Sequence, residues 1–191
     1  MNRISKRCFV VALALGIIGV TATPAWAQRK GKSEDDLIAA LSSPKEKTVI
    51  NTMQEMEKLY PTSAKCQDAI KPFLTDSRKP VVRKAARVLG VMNAPVSEAD
   101  LKNIAALLKG TEKNEIIDGL KSLRGLKAQS TIPEIVPLLQ NKDKNIIRDS
   151  IRTLAVLGDK SLVPTIEPFM SYPDLAVQKD AADALAILKQ K

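Results

Sequence analysis

The side chains that most often carry chemistry are sparse in this sequence of 191 residues, and histidine is missing altogether. Without imidazole there is no Ser-His or Cys-His nucleophile, no histidine metal ligand, and no side chain whose ordinary pKa lies near neutral pH. The two cysteines, Cys8 and Cys66, stand far apart, so there is no Cys-x-x-Cys and no zinc signature. Neither Gly-x-Gly-x-x-Gly nor Gly-x4-Gly-Lys-Ser/Thr occurs, which removes the phosphate-cradling loops. Acids are scattered along the chain, and no pair stands apart from ordinary surface charge. We therefore expect a protein that is not an enzyme, with no catalytic residue, metal or cofactor.

Three polar features remain. Cys66 falls in the first turn of an expected helix, where the helix dipole would lower its pKa, although a buried packing role is the plainer expectation. A basic cluster, Arg78, Lys79, Arg83, Lys84 and Arg87, falls within ten residues and could meet an anionic surface. Asp118, Asp149 and Asp180 recur at a fixed spacing, and Arg87, Lys121 and Arg152 form a second column. This spacing predicts helix-surface pairs Asp118–Lys121 and Asp149–Arg152 at i,i+3, on a solvated outer face.

The elements that position these residues begin with an expected export signal at residues 1–27. Met1–Arg7 is basic, Cys8–Val20 is apolar, and Ala25-Trp26-Ala27 offers a small-x-small cleavage site. A 13-residue apolar run is short for a membrane anchor, so the expected destination is the periplasm or the medium. Cleavage leaves Cys66 as the lone thiol. It also lowers the formal net charge from +9 to +6, because Arg3, Lys6 and Arg7 leave with the signal. Residues 28–33 form a polar lead-in, and the domain proper is expected over 34–191. The 45% apolar content is too high for a disordered chain. Only 3% of residues are aromatic, which leaves no stacking platform for single strands or sugars. Export further argues against nucleic acid as a partner.

The domain repeats. Ile70, Ile104, Ile135 and Ile166 each open the same apolar motif, at intervals of 34, 31 and 31 residues. A second set keeps the register: Val49, Val82, Ile116 and Ile147, then the column Met56, Leu89, Leu123, Leu154 and Leu185. A third column holds Leu59, Met92, Leu126, Leu157 and Leu188. Within a unit the apolar residues fall at helical spacing, as in Ile147, Ile151, Leu154 and Leu157. Breaks fall at Pro61-Thr62-Ser63, Asn93-Ala94-Pro95 and Gly158-Asp159. Ser97 with Asp100 predicts a capping box, and Ser43-Pro44 predicts proline at a first helical position. With the first helix of each unit called A and the second B, the chain reads as a B helix, four A–B hairpins and a final A helix. That makes about ten helices. A single hairpin cannot bury its apolar stripe, whereas stacked hairpins share a continuous core. The small column Ala85, Gly119, Ser150 and Ala181 would admit the A helices to close approach.

These units resemble HEAT repeats, in particular the short HEAT-like repeats of bilin lyases. The segment Asp76–Gly90 (DSRKPVVRKAARVLG) carries the resemblance best, with its Asp, Val-Arg, Ala-Ala and Leu-Gly. Ile132-Pro133-Glu134-Ile135 and Leu162-Val163-Pro164-Thr165-Ile166 look like the opening of the family's second helix. The resemblance implies an all-α fold, an α-solenoid of about ten stacked antiparallel helices, whose B-helix face binds another protein. It also implies an Asp–Arg ladder between repeats, with Arg83 and Arg148 in the Arg column and Ile117 and Lys179 interrupting it. On the B face the outward residues would be Asp68, Lys71, Lys102, Asn103, Glu134, Thr165 and Glu167. The expectation is thus a protein-binding scaffold or adaptor in the cell envelope, monomeric or weakly dimeric. The alternatives are a binder of anionic envelope polymer or lipid, or a lyase-like enzyme by analogy with the family.

Overall fold

The structure, a computed structural model, describes residues 32–191, so the expected export signal lies outside the described residues. Ten α-helices follow one another and no strand occurs among the described residues. The A helices are α2 (Glu46–Leu59), α4 (Lys79–Val91), α6 (Lys113–Gly125), α8 (Lys144–Leu157) and α10 (Leu175–Lys189). The shorter B helices are α1 (Glu34–Ala40), α3 (Ala64–Ile70), α5 (Glu98–Ala105), α7 (Ile132–Ile135) and α9 (Val163–Ile166). The A helices pack in chain order, each against the next, and the B helices form the second layer. The count and order of helices agree with the repeat pattern.

Local chemistry explains where the helices start and stop. Ser33 and Ser97 form capping boxes with Asp36 and Asp100, and Ser63, Asp143 and Asp174 accept from first-turn N–H groups. Helices α4 and α6 end in Schellman turns. Asn93 (φ 47°) and Lys127 (φ 53°) take the left-handed conformation, and Ala94 N and Ala128 N donate back to Leu89 O and Leu123 O. Pro44 lies before the N-cap Lys45, outside α2, so the expected proline at a first helical position is not found there. Pro133 and Pro164 do occupy that part of α7 and α9, where no N–H is needed.

Four B helices tighten into 3-10 turns, at Lys71–Thr75, Ala106–Lys109, Val136–Gln140 and Glu167–Ser171. Pro72, Pro137 and Pro168 sit in three of them and cannot donate to a carbonyl four residues back. The second turn has Ala106 instead and tightens all the same, with Leu107 and Leu108 buried. Packing therefore imposes the turn, and proline merely suits it.

The core lies between the two layers. Ile70, Ile104, Ile135 and Ile166 are fully buried, as are Met56, Leu89, Leu123 and Leu154. Full burial of one such side chain is worth about 1.5–3 kcal/mol. Leu59 of the third column and Met170, the last residue of the apolar motif that Ile166 opens, are exposed instead. Leu59 is 43% exposed because α2 ends at once, and Tyr60 turns inward against the core, its hydroxyl donating to Lys32 O. Met170 is 44% exposed because Phe169 fills the site, buried and stacked on Tyr172. Val82 and Leu126 are half-buried against the core.

The small column performs as expected. Ala85, Ser150 and Ala181 are fully buried, and a side chain on Gly119 would press to 3.1 Å from Leu107 Cβ and Leu108 Cδ2. At the other end of α4 and α6 the backbones meet. A Cβ on Gly125 would lie 2.3 Å from Gly90 O, so the contact requires glycine. At the C-terminus, Lys191 Nζ donates to the carbonyls of Ala155, Val156 and Gly158. A cation thereby satisfies acceptors left open at the end of α8.

Candidate functional site

The one cysteine among the described residues is not poised for reaction. Cys66 is fully buried, its N–H donates to the Ser63 hydroxyl, and burial pushes its thiol pKa up despite the hydrogen bond from Ser63. The expected lowering by the helix dipole is therefore overturned. Desolvation disfavours the thiolate, and α3 is only seven residues long.

The aspartate columns do not form the predicted pairs along one helix. Asp118, Asp149 and Asp180 face the preceding A helix across the repeat boundary. Asp118 Oδ2 accepts from Arg83 at 2.7 and 3.0 Å, and Arg87 lies 3.9 Å from its other oxygen. Asp180, only 6% exposed, accepts from Arg148 Nε at 2.6 Å and Arg152 at 2.8 Å. Among the described residues Asp149 has only Arg124, at 3.9 Å. An i,i+3 pair is made on a helix surface, whereas these carboxylates point into the seam, where only the neighbour's long arginines reach. A second row follows the N-terminal ends of the A helices: Lys79–Glu115 at 3.9 Å, Lys113–Asp143 at 3.0 Å and Lys144–Asp174 at 2.6 Å. Hydrogen bonds from these lysines hold Asp143 and Asp174 below the usual carboxylate range.

The seam also accounts for most of the basic cluster. Arg78 grips Asp76 with two hydrogen bonds, at 2.8 and 2.7 Å, which lowers the Asp76 pKa and raises that of Arg78. Lys79, Arg83 and Arg87 have the acidic neighbours already named. Lys84 alone of the five has no acid within ion-pair distance among the described residues. Arg83, Lys84, Arg87, Ile50, Pro80 and Asp118 line a trough of about 370 Å³ across α2, α4 and α6.

The B-face residues are spread along the second layer and are not gathered into one site. Asp68 and Lys71 bond to each other at 2.8 Å on α3 and the turn beyond it. Lys102 and Glu134 are exposed on α5 and α7, while Asn103 and Thr165 are half-buried. Glu167 is exposed, with Lys189 Nζ 3.9 Å away.

Sequence reasoning missed further troughs on the A layer. One of about 380 Å³ is lined by Arg87, Gly90, Val91, Lys121, Arg124 and Gly125. Another of about 310 Å³ runs from Arg124 over α8 and α10, past Arg152, Val156, Asp183 and Ile187. The available signal was the column Val91, Gly125, Val156 and Ile187, which keeps the repeat register two residues beyond a core column. No group of His, Cys, Asp or Glu that could hold a metal ion occurs among the described residues, and no described helix is long and apolar enough to cross a membrane.

No protein-family model matches the chain, and no curated protein matches it. Solved structures do. The complex of CpcE and CpcF of phycocyanin lyase from Nostoc sp. PCC7120 is similar with a TM-score of 0.70 at 20% identity, over 94% of this chain and 71% of that one. An engineered protein is similar with a TM-score of 0.63 at 18% identity, over 81% and 78% of the two chains. A designed armadillo repeat protein in complex with the peptide (KR)4 is similar with a TM-score of 0.62 at 16% identity, over 80% of each chain. At these identities the likeness shows the fold: an α-solenoid of HEAT-like and armadillo-like helical repeats.

Proposed function

We propose that this protein is a non-catalytic protein-binding scaffold of the cell envelope. The observation that carries this reading is how the ordered polar side chains are used. The aspartate columns and most of the basic cluster close contacts between repeats, and the lone described cysteine is buried. What is left for function is the long surface of the stack, and extended solenoid surfaces serve to bind other chains. Two of the similar structures are complexes with a second polypeptide, which supports a protein partner here. The B face, with Asp68, Lys71, Lys102, Asn103, Glu134, Thr165 and Glu167, offers both signs of charge to such a partner.

A reading as a binder of anionic polymer or lipid has less support, because four of the five clustered cations already have acidic neighbours. A lyase-like activity would have Cys66 as its best nucleophile, and burial weighs against that role. The test is capture of partners from envelope extract on the immobilised chain, washed at low and moderate salt and identified by mass spectrometry. The expected result is a stoichiometric polypeptide that survives moderate salt. Recovery of anionic polymer or lipid alone, lost as salt rises, would contradict the reading.

A further inference from the structure

The three troughs of the A layer lie in sequence along one path, each sharing a lining residue with the next. Arg87 is shared by the first and second, and Arg124 by the second and third. Its character changes along its length. Over α4 and α6 it is lined by three cations, Arg87, Lys121 and Arg124; Arg87 and Arg124 each have a seam aspartate 3.9 Å away, and Lys121 has no acid within ion-pair distance among the described residues. Over α8 and α10 it becomes more apolar, with exposed Val156 and Ile187 beside Ala155 and Ala184; of the charged residues there, Asp180 is held by Arg148 and Arg152, and Asp183 is the remaining acid.

We propose that this path binds an extended segment of a partner protein, acidic at the end over α4 and α6 and apolar at the end over α8 and α10. The proposal rests on the protein-binding reading and adds a second surface, on the A layer, with its partner chemistry. Charge complementarity selects the acidic end, and burial of Val156 and Ile187 selects the apolar one. Helices pack about 8–10 Å apart, so crossing from α4 to α10 spans roughly 30 Å. At about 3.3 Å per residue, some nine or ten residues cover it. This chain does not supply the segment itself. Residues 1–31 contain no acid. The only run of three acids, Glu34–Asp36, is folded into α1 ahead of fully buried Leu37.

The test is fluorescence anisotropy of the full chain with a labelled synthetic peptide of about ten residues, glutamate in its first half and alternating with valine in its second. A peptide with lysine for glutamate is the control. The expected result is saturable binding of the glutamate peptide only, weakened about tenfold by Lys121→Glu and by added salt. Val156→Ser should weaken it about threefold with no change in salt dependence. Lys109→Glu, on the B layer and outside the proposed B-face partner residues, should leave it unchanged. Absence of binding, or loss with Lys109→Glu but not with Lys121→Glu, would overturn the proposal. So would binding of anionic vesicles, or concentration-dependent self-association, that Val156→Ser leaves untouched. If a captured protein partner stays bound to the Lys121→Glu and Val156→Ser variants, the scaffold reading stands and the A-layer site falls.

Discussion

Two junctions between A helices have an arginine rung and the one between them does not. Arg83 of α4 reaches Asp118 of α6, and Arg148 of α8 reaches Asp180 of α10, both through short charge-assisted hydrogen bonds. The matching position on α6 is Ile117, so Asp149 of α8 is left with Arg124 at 3.9 Å. Yet α6 and α8 still share a continuous apolar core, less extensive than at the two flanking junctions, with Leu120, Leu123, Ile151 and Leu154 all fully buried. The comparison separates two roles. The apolar columns make the stack, and the ion pairs at its seam add a smaller increment.

Removing α10 altogether tests the first role most severely. Deletion of residues 174–191 should expose the apolar face of α8 and cause aggregation, because terminal repeats shield the stack. Light scattering and thermal melts check this, and a truncated chain as soluble and cooperative as the parent would refute it. Next in size is the contact of Gly90 with Gly125. Gly125→Ala places a methyl group 2.3 Å from a backbone oxygen, so it should cost about 2–3 kcal/mol in denaturant unfolding as α4 and α6 are forced apart.

The rungs come next. Asp180→Ala removes a buried acceptor from two arginines and should cost about 1.5–2 kcal/mol, whereas Asp149→Ala should cost less than about 1 kcal/mol. Smaller still, Lys127→Gly should stabilise by about 0.5–1 kcal/mol, since it relieves a left-handed residue at an exposed Schellman turn.

The pH profile sharpens the same picture. Asp36, Asp76, Asp143, Asp159 and Asp174 are held below their ordinary range by hydrogen bonds from Ser33, Arg78, Lys113, Ser161 and Lys144 respectively. Carboxylates with lowered folded-state pKa values stabilise the fold above their unfolded pKa, near 4, and that stability is lost as pH falls through the folded values. With no histidine in the chain, melting temperature should be flat between about pH 6 and 8 and fall below about pH 4.

Much of the fold was legible because a helical stripe records burial within one helix. The isoleucine column, the small column and the Ser97 capping box are each set by residues a few positions apart, and each stands where the pattern placed it. The seam was less legible from spacing, although the resemblance implied inter-repeat rungs at Arg83 and Arg148. Asp118 and Lys121 are three residues apart and invite pairing, yet the partner of Asp118 is Arg83, 35 residues away. Which side of the A helix faces its predecessor decides that contact, and periodicity within a helix does not carry this information. The A-layer troughs were missed for the same reason, since Arg87, Lys121 and Val91 come together only once the repeats stack. Leu59 and Met170 were misplaced because a neighbour, Tyr60 or Phe169, fills the expected site.

The central claim is that the ordered charges of the A helices are joints between repeats, strong where arginine stands in the column and weak where it does not. Two double-mutant cycles measure this directly, one on Arg148 with Asp180 and one on Arg124 with Asp149. The account predicts a coupling of about 1–2 kcal/mol for the first pair and below about 0.5 kcal/mol for the second. Equal couplings, or a larger one for Arg124 with Asp149, would contradict it.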